Sequence, residues 1–311
     1  MDTPLRPMST GELLDRTFGL YKRHFLLLLG ITVPGPGVVL LVIVLSSVVD
    51  KLPWTKSPAG STAAVAIVTL LIVVGSLVLL VGQALAQAAT IRAISALHLS
   101  GATGIRAAYA GLGRRTLRIL GVLVSVSIRV VGGSMLLYLG FAFLAVAIAA
   151  GVRYLGSPGE VVAIVIMIAA FVGGLLVGLT LLVRYSYSVQ ACVIEDIPGK
   201  QALKRSAFLA KGSRSRLLTI YVLFWAISSA MWGCLALLAS LCEEFIHAPQ
   251  VISALMTLAF FLTMLLALPL VTVAITLAYY DERVRKEGYD LQLLIAGLEQ
   301  PEVKAATATV G

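Results

Sequence analysis

PGKQALKRSAFLAKGSRSRLLTIY, residues 198–221, decides how the rest of the chain reads. Taken as a helix opening at Pro198, a residue favoured in a first helical turn, it sets Lys200, Lys204 and Lys211 on one stripe. Ala202, Leu203, Ser206, Leu209 and Ala210 fall on the opposite one. Such a helix suits a membrane surface, apolar face inward and cations toward headgroups. Gly212 ends it, Arg214 and Arg216 follow, and Leu217 to Cys242 is a run of 26 residues without a formal charge. A basic interfacial helix thus feeds an apolar span, and variants of the unit occur earlier, at Gly11 to Ile31 and Gly104 to Val124.

Composition supports this reading across the whole chain. Of 311 residues, 59% are hydrophobic and 13% charged, whereas about a quarter of a soluble domain is charged. A helix crosses a bilayer core with about 20 apolar residues, so uncharged runs can be counted as spans. They are Phe25 to Val49, Ser57 to Ile91, Val130 to Val152, Val161 to Val183, Leu217 to Cys242 and Phe245 to Tyr280. An even number of crossings places both termini on one side.

Charge chooses the side. Of 24 Lys and Arg, 20 lie in the N-terminal segment, the second and fourth connections and the C-terminal tail. Lys51, Lys56 and Arg153 lie on the other side, and Arg129 is inside or at the edge of a span. The positive-inside rule then makes both termini cytoplasmic. The net charge of +9 is spread along these connections, which points to anionic headgroups rather than nucleic acid. Cys192, Cys234 and Cys242 show no pairing pattern, so no disulfide framework is expected. The charged segment 1–24 reads as a cytoplasmic amphipathic element, and the run after it as a retained anchor.

Several features within the spans bear on function. Ser9 and Glu12 have capping-box spacing, followed by Leu14, Phe18, Tyr21 and Phe25 on one stripe. Pro34-Gly35-Pro36-Gly37 interrupts the first span, either as a kink where a surface helix bends into the membrane or as a broken helix lining a path. Gln83 and Gln87 lie one turn apart and serve either as interhelical glue or as the lining of a polar vestibule. Arg129 is either a charge buried at mid-membrane, a functional site by default, or a side chain snorkelling to the interface. Gly174 and Gly178 have the spacing of close helix contact. Pro269 kinks the sixth run. Asp281 with Arg285 and Glu282 with Lys286 form i,i+4 pairs that carry the helix beyond the membrane. The tail 281–311 is expected to be disordered past about residue 300.

Gly11, Gly104 and Gly199 are 93 and 95 residues apart, and each begins the same order of parts. The expected fold is therefore all-α, a six-transmembrane-helix bundle (25–280) of three parallel helical-hairpin repeats, about 11–103, 104–198 and 199–288, each preceded by an amphipathic interfacial helix. RPMSTGELLDRTFGLYKRHF, VRYSYSVQACVIED with ALKRSAFLAKG, and YYDERVRKEGYDL resemble the membrane domain fused to some bacterial glycerophosphoryl diester phosphodiesterases and also found alone. The resemblance implies a six-helix integral membrane domain without the catalytic barrel, and it supplies no catalytic residue.

No catalytic set emerges from the residues themselves. His24 and His98 are expected on the cytoplasmic side and His247 outside, and GxSxG, HExxH, Walker and CxxC motifs are absent. Neither a metal nor a cofactor is expected. The leading reading is a non-enzymatic bacterial inner-membrane protein, a scaffold or accessory subunit. Its basic cytoplasmic collar would bind anionic lipid or an acidic protein partner through Lys22, Arg23, Arg114, Arg115, Arg118, Lys200, Lys204, Arg205, Lys211, Arg214 and Arg216. The alternative is a transporter or channel for a lipid-like or amphipathic solute, with Pro34, Gln83, Gln87, Arg129 and Pro269 converging on a central polar cavity.

Overall fold

A computed structural model describes residues 7–99, 103–152, 158–246, 249–289, 291–292 and 295. Among these the chain is all-helical: α1 (Thr10–Arg23), α2 (Phe25–Thr32), α3 (Pro34–Asp50), α4 (Pro58–Leu99), α5 (Ile105–Tyr109), α6 (Thr116–Ser127), α7 (Gly133–Val152), α8 (Pro158–Tyr185), α9 (Ser188–Ile194), α10 (Gly199–Leu209), α11 (Arg214–Ile246) and α12 (Pro249–Glu287). A π-helical turn, Ile128–Gly132, joins α6 to α7. Among the described residues five helices are long and apolar enough to cross a membrane, and six spans result if α2 and α3, bent by 50°, count as one. The tail past residue 300 and His247 lie outside the described residues, as do the side chains of Arg114, Glu243 and Glu244.

The chain divides into two compact units, residues 117–218 and the remainder, with the later boundary inside α11. In the larger unit, α12 packs against α1, α2, α3 and α4. Composition separates two parts of α4: large residues such as Val65, Leu70 and Leu77 are exposed, whereas Ala84, Ala86, Ala88, Ala89, Ile91, Ala93 and Ile94 are buried. Small side chains let α4 approach its neighbours closely, and the branched residues are left to face lipid. The last turns of α12, from Val273 to Tyr280, are buried as well.

Helix α1 has the capping box its sequence announces: the Ser9 hydroxyl accepts from the Glu12 N–H, and the Glu12 carboxylate from the Ser9 N–H. Its placement differs from the expected surface helix. The Met8 N–H donates to Asp281 Oδ1 at 2.6 Å, and the Tyr21 hydroxyl donates to the Leu266 carbonyl at 3.1 Å. Rising numbers on α1 meet falling numbers on α12, so α1 runs antiparallel along α12 over ~20 Å. Its buried residues, Leu13 and Thr17, serve protein packing. Pro269 has no N–H to offer the Leu265 carbonyl, and the Tyr21 bond falls in that same turn.

The break between α2 and α3 is a bend held by protein. Pro34 and Pro36 cannot donate to the preceding turn. In that turn the Tyr109 hydroxyl of α5 donates to the Ile31 carbonyl at 2.6 Å. Beyond the bend, a Cβ on Gly35 would come within 2.5 Å of Gln83 Oε1, so the glutamine lies directly on glycine backbone.

In the smaller unit α7 and α8 form a close antiparallel pair. A Cβ on Gly174 would sit 3.2 Å from the Ser134 carbonyl oxygen, and one on Gly178 would sit 2.5 Å from Ser134 Oγ. Helix α10 packs on α9 and α8, and its residues Ala202, Leu203, Ser206 and Leu209 are buried there. The amphipathic pattern of residues 198–221 is thus real, but its apolar face meets protein where lipid was expected. The Ser206 hydroxyl donates to the Arg184 carbonyl and accepts from the Tyr187 N–H, both at 3.0 Å, fastening α10 to the end of α8.

Candidate functional site

The expected cations can be taken unit by unit. In the larger unit Lys22 and Arg23, in the last turn of α1, are exposed, as is Arg115. His24 caps α1, and burial first, then the Arg23 charge, lowers its pKa below the usual 6.5. It is therefore neutral at pH 7 and adds nothing to the positive set.

In the smaller unit Lys200, Lys204, Lys211 and Arg214 are exposed and Arg216 is half-buried. Among the expected lipid-binding cations, Arg118 and Arg205 are seen engaged within the protein. Arg118 Nη1 lies 2.8 Å from Asp196 Oδ1 and also donates to the Asp196 carbonyl. Arg205 Nε reaches both Glu195 oxygens, at 3.0 and 2.9 Å. The pair Glu195-Asp196 ahead of α10 thus neutralises one cation on α6 and one on α10. Asp196 holds a left-handed backbone, φ 55°, a conformation that aspartate tolerates better than most residues.

Of the five residues assigned to a cavity, Pro34, Gln83, Gln87 and Pro269 belong to the larger unit and Arg129 to the smaller. Gln83 and Gln87 are half-buried and Pro269 is buried. Arg129 occupies the π turn and is exposed. Its Nη1 donates to the Ser125 carbonyl at 2.8 Å, and its guanidinium lies 5.9 Å from the Tyr185 ring centre. The Arg184 guanidinium lies over the same ring at 5.7 Å. Tyr185 is the last residue of α8, so Arg129 is level with the C-terminal end of that helix.

Below this cluster, between α7 and α8, is an open cleft of about 430 Å³, lined by Val130, Ser134, Tyr138, Phe171, Leu175 and Leu182 among others. The π turn and the cleft carry no mark in the sequence beyond a small-residue spacing. Among the described residues no group of three His, Cys, Asp or Glu could hold a metal ion.

One polar residue here is poorly placed. Gln190 on α9 is 1% exposed, and neither its amide nitrogen nor its oxygen has a partner among the described residues. An orphaned buried amide costs about 1–3 kcal/mol, so Gln190→Met is expected to raise thermal stability. A melt in detergent following circular dichroism checks this, and a lower midpoint would mean that the amide is satisfied in solution.

No protein-family description, curated protein or solved structure matches this chain.

Proposed function

We propose that the chain is a multi-pass protein of a bacterial inner membrane, with both termini cytoplasmic, that holds anionic lipid at its cytoplasmic face without catalysing a reaction. One observation carries the reading: Lys200 and Lys204 are exposed on α10, whose opposite face is buried, and the exposed Lys211 and Arg214 follow in the turn after it and at the start of α11. Cations fixed on a packed helix lose less entropy on binding than cations on a loose tail. Each near an anionic surface contributes about 1 kcal/mol.

The three-repeat architecture belongs to this proposal. The order of elements agrees with it, since α1, α5 and α10 each precede two long apolar segments. The hairpins differ in closeness, however: α7 meets α8 at backbone distance, whereas α11 and α12 meet through the Trp232 and Phe260 rings, 6.2 Å apart. Kinship with the membrane domain of glycerophosphoryl diester phosphodiesterases rests on the sequence resemblance alone. The scaffold role we assign to the chain rests on the exposed cations, not on that kinship.

The test replaces Lys200, Lys204, Lys211 and Arg214 together with glutamate in the full chain. Reconstituted in mixed vesicles, the native protein is expected to enrich spin-labelled phosphatidylglycerol over phosphatidylcholine in its lipid shell. The variant should lose most of that preference, and salt should weaken it in the native protein. An unchanged preference refutes the reading.

A further inference from the structure

We propose that the α7–α8 cleft and the arginine pair at its end form a binding site for one anionic phospholipid. The phosphate would sit against Arg129 and Arg184, and one acyl chain would lie along the cleft. The inference rests on the proposed setting in an anionic bilayer but does not need Lys200, Lys204, Lys211 or Arg214.

Three observations on one unit meet here. Two guanidiniums share the Tyr185 ring, at 5.9 and 5.7 Å, and neither has an acidic partner among the described residues. Arg129 spends one donor on the Ser125 carbonyl, and a guanidinium has five N–H donors in a planar fork that fits phosphate oxygens. Like charges held together without an acid are completed by an anion. The backbone at Arg184 is held through its carbonyl by Ser206, and Arg129 sits in the π turn, a distortion that occurs often at functional sites. The Tyr185 ring thus gathers both guanidiniums at one place without a ligand.

The cleft begins where the cations end. Val130 follows Arg129, Leu182 precedes Arg184 by two residues, and both line the cleft. Along α8 the lining runs from Leu182 to Phe171, which at 1.5 Å per residue is ~17 Å. One leaflet of a ~30 Å hydrocarbon core is ~15 Å deep. A chain anchored by its phosphate at Arg184 would therefore reach the bilayer midplane at Phe171. The volume, about 430 Å³, lies within the roughly 300–1,000 Å³ range of small-molecule sites. The close approach of Gly174 and Gly178 to Ser134 draws the two helices together, and the larger Tyr138 and Phe171 wall the inner end. An apolar groove by itself accepts any lipid tail; the arginine pair adds the headgroup preference.

The experiment counts lipids that survive detergent exchange on the full chain, by native mass spectrometry, with phosphatidylglycerol or phosphatidylcholine added back. One phosphatidylglycerol is expected to remain, with phosphatidylcholine retained much less. Arg129→Gln should weaken retention about five- to tenfold, with partial recovery in Arg129→Lys. Leu175→Trp fills the cleft from an exposed position and should displace the lipid while both arginines stay. The fourfold glutamate variant at Lys200, Lys204, Lys211 and Arg214 should keep this lipid even where it loses the general preference of the shell, so the two proposals fail separately. Equal retention of both lipids, or native-like retention in both Arg129→Gln and Leu175→Trp, overturns the site.

Discussion

Gly174→Leu is expected to separate α7 from α8 and to unfold the smaller unit at a much lower temperature than the native chain. The reason lies in what a side chain there would meet. A Cβ at Gly174 comes within 3.2 Å of the Ser134 carbonyl oxygen and 3.8 Å of the Tyr138 Cβ, and backbone cannot rotate away. The rest of a leucine must then push the helices apart. Overpacking costs about 1–3 kcal/mol and occasionally more, and the close contacts that hold a membrane helix pair are lost as well. Gly178→Ala should be milder, because its obstacle is the Ser134 hydroxyl, which can turn at the cost of its bond to the Val130 carbonyl. Gly140→Leu is the control, since a Cβ there meets nothing within 4 Å.

Cys192 reads the outcome. It is 2% exposed, so with Cys234 and Cys242 replaced by serine its reaction with a thiol reagent reports opening of this unit on heating. Gly174→Leu should lower the temperature of labelling by many degrees and Gly140→Leu should leave it nearly unchanged. Equal labelling in all three would mean that glycine spacing does not set the α7–α8 contact.

The same pair shows what a sequence can and cannot disclose. Long apolar runs, the capping box at Ser9 and Glu12, the bend at Pro34 and the paired charges of α12 are local facts, governed by residues within a few turns. Each was legible. The stripe on α10 was legible too, yet its partner was not: a hydrophobic face is equally content against lipid or protein, and only tertiary packing distinguishes them. The pairing of Arg118 with Asp196 joins residues 78 apart in sequence, beyond any periodicity. Counting cations therefore overstated the charge available for binding. The register of Arg129 depended on the π turn, which changes which way a side chain faces without altering composition. Its position beside Tyr185 follows from the antiparallel match of α7 with α8, a relation between two helices that neither carries alone.

Asp281→Ala should release α1 from α12, because this carboxylate takes part in a ring of three bonds with Met8 and Arg285. It is 1% exposed. Oδ1 accepts from the Met8 N–H at 2.6 Å, Oδ2 lies 2.7 Å from Arg285 Nε, and Arg285 Nη2 donates to the Met8 carbonyl at 2.5 Å. The ring closes on itself, so removing the acid leaves a buried N–H and a guanidinium without their acceptor. Breaking a fully buried pair costs about 3–5 kcal/mol. The Arg285 side chain is 41% exposed, so water recovers part of this and about 2–4 kcal/mol is the reasonable expectation. If opening of α1 governs its amide exchange, that loss accelerates exchange within Thr10–Arg23 roughly 30- to 1,000-fold, read by mass spectrometry on the full chain in detergent. Asp281→Asn keeps one acceptor and should fall between. Lys22→Ala, on the exposed face, should stay close to native. Native-like exchange in Asp281→Ala would show that α1 is held by its apolar face and the Tyr21 bond, and that the ring around Met8 is incidental.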